Sequence, residues 1–274
     1  MNEKELSLRE TQIASLDILK DIDLVCRTNS IKYYVFFGTL IGVVRHKGFI
    51  PWDDDIDIVM LREDYNRFLN IYKDKGKYRL INFENEPKCP FMITRVSDDR
   101  YQLISDYGPQ YKIGTFVDVY PLDKVGEKVE EAKYASKICR KYSSRLNKSL
   151  ERNIIGVIKD THNGIKKWLL LFTYFVPKIM GASYYRNKLL GLEKQFNQGK
   201  SKYLGCVTWA MLKTEYYDCS WFEETIDMKF EELNVMVPKE YDKILTQNFG
   251  DYMKLPPEKD RIAHHYYRIV KRSC

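Results

Sequence analysis

The sequence predicts a mixed α/β fold, a sheet with flanking helices and a basic helical insertion, and three observations predict it. Aromatic and β-branched runs such as Tyr33-Tyr34-Val35-Phe36-Phe37 alternate with amphipathic stretches of helical period. A chain of 274 residues with 44% hydrophobic side chains can close a proper core. Residues 127–150 are helical in pattern and carry Lys137, Arg140, Lys141, Arg145 and Lys148, and a second basic and apolar segment follows.

Over residues 8–26, Ile13, Leu16, Leu19, Ile22 and Val25 recur at near-helical spacing, which predicts a helix packed on the sheet. The run 33–37 reads as a buried strand that stops at Gly38-Thr39, with a short helix over 40–44 after it. Glycine at such a turn lets the backbone approach a ligand, and the amides at the helix start then face an anion such as a phosphate. An ordinary strand-to-helix turn with Thr39 as N-cap accounts for the same residues.

In Asp55-Ile56-Asp57-Ile58 the strand period places Asp55 and Asp57 on one face and turns Ile56 and Ile58 to the core. Two like charges on one face repel unless a cation sits between them, and Mg²⁺ favours one or two protein carboxylates with waters and phosphate oxygens. Asp53 and Asp54 read as outer ligands or as solvated turn residues, and an acidic surface turn is the alternative for the whole cluster. Between the two halves lies Arg45-His46-Lys47-Gly48-Phe49-Ile50-Pro51-Trp52, basic and then aromatic. Such a segment can hold phosphate oxygens and shield a site from water, or it can balance the aspartates, and for Lys47 the second account is as good.

Residues 62–75 predict a second amphipathic helix, with Tyr65, Phe68, Leu69 and Tyr72 on one face. Short strands over 78–82, 91–96 and 101–105 follow, and Arg95 is either a phosphate contact or a surface residue. A strand over 113–120 puts Phe116, Asp118 and Tyr120 on one face and Val117 and Val119 on the other. Asp118 between two valines needs a cation or hydrogen-bond partners, which proximity to Asp55 and Asp57 would supply; the alternative is an Asp at the strand edge before Pro121. Asp123 reads as an N-cap or turn residue.

The apolar run 168–176 is too short to span a bilayer. It suits the membrane interface, with lysines flanking it, and equally a buried hairpin inside the insertion. Beyond residue 203 come the aromatic cluster of Trp209, Tyr216, Tyr217, Trp221 and Phe222 and a helix over 239–249, closed by Gly250 and Pro256-Pro257. At most one of His264 and His265 contacts a phosphate, and a structural or surface role suits both.

A net charge of +7 favours anionic partners, from nucleotide sugars to anionic lipid. Six scattered cysteines without a CxxC pair argue against a zinc site or a disulfide framework. A charged N-terminus without the apolar core of a signal peptide points to a cytoplasmic protein, with peripheral contact at the inner face of the cell membrane as a possible addition.

The string over residues 38–60, GTLIGVVRHKGFIPWDDDIDIVM, resembles the signature of the LicD family of phosphotransferases, related to the fukutin-type ribitol-phosphate transferases and to the wider nucleotidyltransferase fold. The likeness extends to Gln12, Cys26, the run 116–123, Val237-Pro238 and Phe249-Gly250-Asp251-Tyr252-Met253, with Phe249 where relatives often carry Tyr. Residues 125–216 lie outside it. The resemblance implies a nucleotidyltransferase-like core over 1–124, a basic helical insertion over 125–202 and a C-terminal helical part over 203–274 that completes the active site.

It also implies a three-carboxylate site of Asp55, Asp57 and Asp118 for Mg²⁺ or Mn²⁺, with Asp118 as ligand or as base, and substrate contacts from Gly38, Thr39, Arg45, His46, Lys47, Trp52, Arg95 and Tyr120. The implied donor is a CDP-linked alcohol, most often CDP-choline. The implied acceptor is a sugar hydroxyl of a teichoic acid, lipopolysaccharide or other cell-surface glycan precursor, lipid-linked, with CMP leaving. Choline would need aromatic faces, for which Trp52 and Tyr120 are nearest in sequence. Two rivals stand beside this: a nucleotidyltransferase that releases pyrophosphate, and a non-catalytic RNA- or membrane-binding protein. The three aspartates weigh against the latter, so nucleic acid is not an expected partner.

Overall fold

The first helix, α1 (Leu8–Thr28), starts at a capping box in which the Ser7 amide donates to Glu10 Oε2 at 2.8 Å and the Ser7 hydroxyl accepts from the Glu10 amide. Its buried face, with Leu16, Leu19, Ile22 and Val25, joins the main core as its spacing predicts, whereas Ile13 of the same spacing is exposed. The structure is a computed structural model that describes residues 4–74, 76–105, 108–154, 164–212, 215–262 and 267–272, with no side-chain description for 164–167. His264, His265 and Cys274 lie outside the described residues.

The sheet follows, with β1 (Tyr34–Val35), β2 (Asp57–Leu61), β3 (Tyr78–Ile81), β4 (Thr94–Asp98) and β6 (Thr115–Gly126) on its main path, while β5 (Tyr101–Ser105) lies outside it. Its order is β1-β2-β6-β4-β3, mixed as predicted: β2 and β6 run parallel and the other pairs antiparallel. Helix α2 (Phe37–Ile41) follows β1, and α3 (Arg62–Ile71) follows β2 and buries Tyr65 and Phe68. Strand β5 pairs with the C-terminal strand β11 (Tyr267–Lys271).

Three local expectations are corrected. The strand at Tyr34 is two residues long, and the helix after it begins at Phe37, three residues before the expected 40–44, then widens into a π-turn over Gly42–His46. A Cβ on Gly42 would lie 2.5 Å from the Gly48 carbonyl oxygen, so this close backbone approach requires glycine. Next, β6 does not end before Pro121 but runs on to Gly126. Pro121 sits where β4 has already ended, at Thr94 opposite Val119, and before β7 (Tyr203–Gly205) joins at Asp123, so its missing N–H breaks no ladder on that side. Because the strand continues, Asp123 is no turn residue but a buried anchor: Arg62 Nε and Nη2 donate to its two oxygens at 2.6 and 2.9 Å, and Asn197 Nδ2 donates at 2.7 Å.

Residues 125–202 hold two long helices, α4 (Val129–Leu150) and α5 (Gly164–Phe196), the second kinked at Gly181. They pack on each other, and the chain returns onto the strand it left, with Gly126 opposite Tyr203. The apolar run within α5 is not a buried hairpin: Trp168 is 77% and Phe172 70% exposed, with Phe175 and Ile179 exposed on the same helical stripe. Among the described residues after 203, strand outweighs helix: β7, β8 (Tyr217–Asp218), the hairpin of β9 (Thr225–Phe230) and β10 (Leu233–Pro238), and β11, with one α-helix, α6 (Tyr241–Phe249). Alternating residues such as Val235 and Val237 bury one face of that hairpin, a period of two that the helical expectation overlooks.

Arg62 on α3 binds Asp123 on β6 and reaches Glu193 on α5 at 3.3 Å, so one partly buried guanidinium ties the helical pair to the sheet. Arg62→Leu should cost about 3–5 kcal/mol in urea unfolding, because it strands the Asp123 charge, and Asp123→Leu added to it should recover part of the loss. Equal stability of Arg62→Leu and wild type would refute the anchor.

Candidate active site

Asp57 opens β2, and its placement is fixed from three sides. Its amide donates to Thr39 Oγ1 at 2.9 Å, its carbonyl accepts from the Phe36 amide at 2.9 Å, and the parallel register sets it opposite Asp118 on β6. The Tyr120 hydroxyl donates to the Asp57 carboxylate, while Asp57 Oδ1 is buried with no hydrogen-bond partner among the described residues. Burial pushes the Asp57 carboxyl well above the ordinary range, and the charges of Asp55, Asp118 and Asp53 push it further. This is a negatively charged place without enough positive charge.

Arg95, opposite Asp118 on β4, is the cation that the chain itself supplies. Its Nε donates to Asp118 Oδ1 at 2.6 Å and its Nη2 to Oδ2 at 3.3 Å, and the guanidinium lies 3.8 Å from the Phe91 ring centroid and 4.1 Å from that of Phe116. Arg95 is therefore bound to the carboxylate behind the site and neither faces solvent nor lines the cavity in front. Asp53, Asp54 and Asp55 stand just ahead of β2, and one carboxylate oxygen from each lies within 4.8 Å of the others. Asp55 thus precedes the strand instead of alternating along it. Gln12 Nε2 on α1 donates to the Asp53 carbonyl at 2.8 Å, and Tyr267 on β11 hydrogen-bonds Asp54.

In front of these acids lies a cavity of about 620 Å³. Asp53, Asp55, Asp57, Gly38, Arg45 and Trp52 line it; a Cβ on Gly38 would come within 2.7 Å of Asp53 Oδ2, so the absent side chain keeps that carboxylate in place. Arg45 Nη1 donates to the Tyr252 carbonyl at 2.7 Å and Nε to His46 Nε2 at 2.9 Å; burial, then the Arg45 charge, holds His46 below the usual histidine range. Thr39, His46, Lys47, Arg95, Asp118 and Tyr120 are not in this cavity's wall. The Thr39 hydroxyl is taken up by Asp57, and Lys47 is an exposed, left-handed residue whose Nζ donates to the Val44 carbonyl.

The rest of the wall comes from Phe249, Asp251, Tyr252, Lys254 and the prolines at 256 and 257. Sequence reasoning names none of these as site residues, although the likeness over 249–253 was the available signal. Lys254 adds a cation to the wall, and the Arg261 guanidinium lies 5.9 Å from the Trp52 ring centroid. An acidic floor with an orphaned oxygen, facing basic and aromatic walls, has the donor chemistry of a hard divalent cation and an anionic ligand.

Residues 30–137 match the LicD/FKTN/FKRP nucleotidyltransferase-domain family. Over 269 residues the chain is 30% identical to the lipopolysaccharide cholinephosphotransferase LicD of Haemophilus influenzae, covering 96% of this chain and 97% of that protein. An uncharacterized protein of Rickettsia typhi is 32% identical over 146 residues, which cover 45% of this chain and 47% of that one.

Because the folded chain holds the Asp57 proton more tightly than the unfolded chain, the group's contribution is most favourable at low pH and is lost as pH rises from about 3.9 upward. Asp57→Asn should therefore be more stable than wild type at neutral pH in chelator, by roughly 1–3 kcal/mol in urea unfolding, with the gap closing in acid. A variant less stable than wild type at neutral pH would mean that the chain balances this charge by itself.

Proposed function

This chain belongs to the LicD family, and from that premise we propose that it transfers phosphocholine from a CDP-linked donor to a sugar hydroxyl of a lipopolysaccharide-type glycan. The observation that carries the reading is the acidic floor at the β2–β6 junction, with its unpartnered Asp57 oxygen, set below a cavity large enough for a nucleotide. Full-length likeness to a protein named as a lipopolysaccharide cholinephosphotransferase supports the transferred group and the acceptor class.

Asp55 and Asp57 would hold Mg²⁺ or Mn²⁺, with Asp53 and Asp54 clustered beside Asp55 and Asp118 opposite Asp57 on β6; the ion would offset negative charge on phosphate oxygens. Arg45 and Lys254 face the donor phosphates across the cavity, and Trp52 offers a ring face. The acceptor oxygen bonds to the phosphorus that carries choline, the anhydride oxygen departs on CMP, and the hydroxyl proton passes to a carboxylate of the acidic cluster. Asp118 is assigned to positioning rather than proton acceptance, since Arg95 donates to both of its oxygens.

For the acceptor, Lys137, Arg140 and Lys141 on α4 line a separate depression of about 460 Å³, suited to an anionic glycan. The exposed stripe of Trp168, Phe172, Phe175 and Ile179 suits the interface of an anionic membrane that carries a lipid-linked acceptor. No helix among the described residues is long and apolar enough to cross a membrane.

With CDP-choline and a de-acylated glycan acceptor, the products should be CMP and a phosphocholine-bearing sugar, and Asp57→Asn should lower turnover by at least about 10²-fold. Pyrophosphate release from a nucleoside triphosphate, without CMP from CDP-choline, would instead favour nucleotidyl transfer. Trp168→Ser with Phe172→Ser should abolish flotation with anionic vesicles and leave turnover of the soluble acceptor unchanged; flotation that survives both changes would remove the membrane contact.

A further inference from the structure

Behind the Gly38 wall lies a second, partly open chamber of about 210 Å³, lined by Phe37, Tyr120, Trp209 and Phe249, with Met211 and Glu215. Gly38 and Phe249 belong to both chambers. Tyr120 connects this space to the carboxylates: its hydroxyl donates to Asp57, and its ring meets Phe37 edge-on at 5.4 Å between centroids.

Glu215 is the unusual member. It is 1% exposed, Oε2 accepts from the Leu212 amide at 2.9 Å, and Oε1 is buried with no hydrogen-bond partner among the described residues. A buried carboxylate among aromatic rings is costly unless a cation joins it. A metal ion would need several oxygen ligands, which walls of Phe, Trp and Met do not supply. An alkylammonium needs what is there, ring faces for its methyl groups and one carboxylate for its charge. The chamber wall is also held rigidly: Ser143 and Ser136, buried on α4, accept from the amides of Ala210 and Glu215, each at 3.1 Å. The helical insertion thus anchors Ala210, next to Trp209, and Glu215 itself.

We propose that this chamber binds the quaternary ammonium of the transferred group, with Glu215 as counter-ion and the rings of Phe37, Tyr120, Trp209 and Phe249 as its cage. The assignment rests on the phosphocholine reading above and adds to it the residues that select the alcohol. Donor phosphates over Asp55 and Asp57 and a head group behind Gly38 would span the shared wall.

Burial pushes the Glu215 carboxyl up to about 8, against the pull of the Leu212 and Met211 amides and of Arg140 on α4. Cys139 on α4, Cys206 and Tyr217 also face it, and burial pushes each of them up, so they stay neutral there. Cation binding below that pH should therefore release a proton.

The test is titration of tetramethylammonium chloride into the full chain in chelator, against sodium chloride at equal ionic strength, so that neither metal nor nucleotide enters. Saturable binding is expected in wild type, weakened at least tenfold by Glu215→Gln and by Trp209→Leu and largely restored in Trp209→Phe, with circular dichroism confirming that each variant is folded. No saturable binding by folded wild type, or undiminished binding in Glu215→Gln, would overturn the cage. Normal tetramethylammonium binding with no turnover of CDP-choline would overturn the phosphocholine reading and leave the cage standing.

Discussion

Negative charge gathered where β2 begins alongside the parallel strand β6 is the constraint on which this structure turns. The register that pairs Asp57 with Asp118 forces two carboxylates together in a buried place, and Asp53 and Asp55 add to the repulsion. Neighbouring elements hold that arrangement in spite of its cost. Arg95 is clamped between two rings and neutralises one carboxylate, Thr39 holds the Asp57 amide, Gln12 holds the Asp53 carbonyl, and Tyr267 reaches Asp54 from the far end of the chain. Such a concentration of supporting contacts around an unfavourable charge is what a pre-organised site requires.

The long excursion between β6 and β7 is joined to this centre at two levels. Arg62 and Asn197 converge on Asp123, fixing the helices to the strand that carries Asp118. The serines of α4 then hold the amides of Ala210 and Glu215 beside the chamber behind Gly38. The helical pair thus acts on the site through a loop, while its outer stripe of Trp168 and Phe172 remains exposed. The C-terminal segment over 249–257 supplies the other wall of the main cavity and is tied to it by Arg45.

Much of the fold is legible in the sequence because its main elements have strong periods. The helix read over 8–26 from apolar spacing is found at Leu8–Thr28, and the short strand read over 101–105 is found at Tyr101–Ser105. Two misreadings share a cause, a local rule that a distant neighbour overrides. Pro121 looks like a strand end until the gap between β4 and β7 is seen, and Asp123 looks like a turn until Arg62 arrives from 61 residues away. The β9–β10 hairpin is missed because its turn, at Glu231 with positive φ, has no glycine to mark it.

The sequence by itself determined the mixed α/β class, the family signature over residues 38–60 and the aspartates around which a phosphotransferase site could be sought. Those properties reside in residue identity and short spacing, which a chain carries whether folded or not. Tertiary structure alone decided that Arg95 serves Asp118, that Thr39 serves a backbone amide, and that residues 249–257 close the cavity. It alone brought Trp209 and Glu215 behind Gly38, more than 170 positions away in a chain of 274. Cross-strand register and long-range packing set those partnerships, and neither is written in any local stretch of sequence.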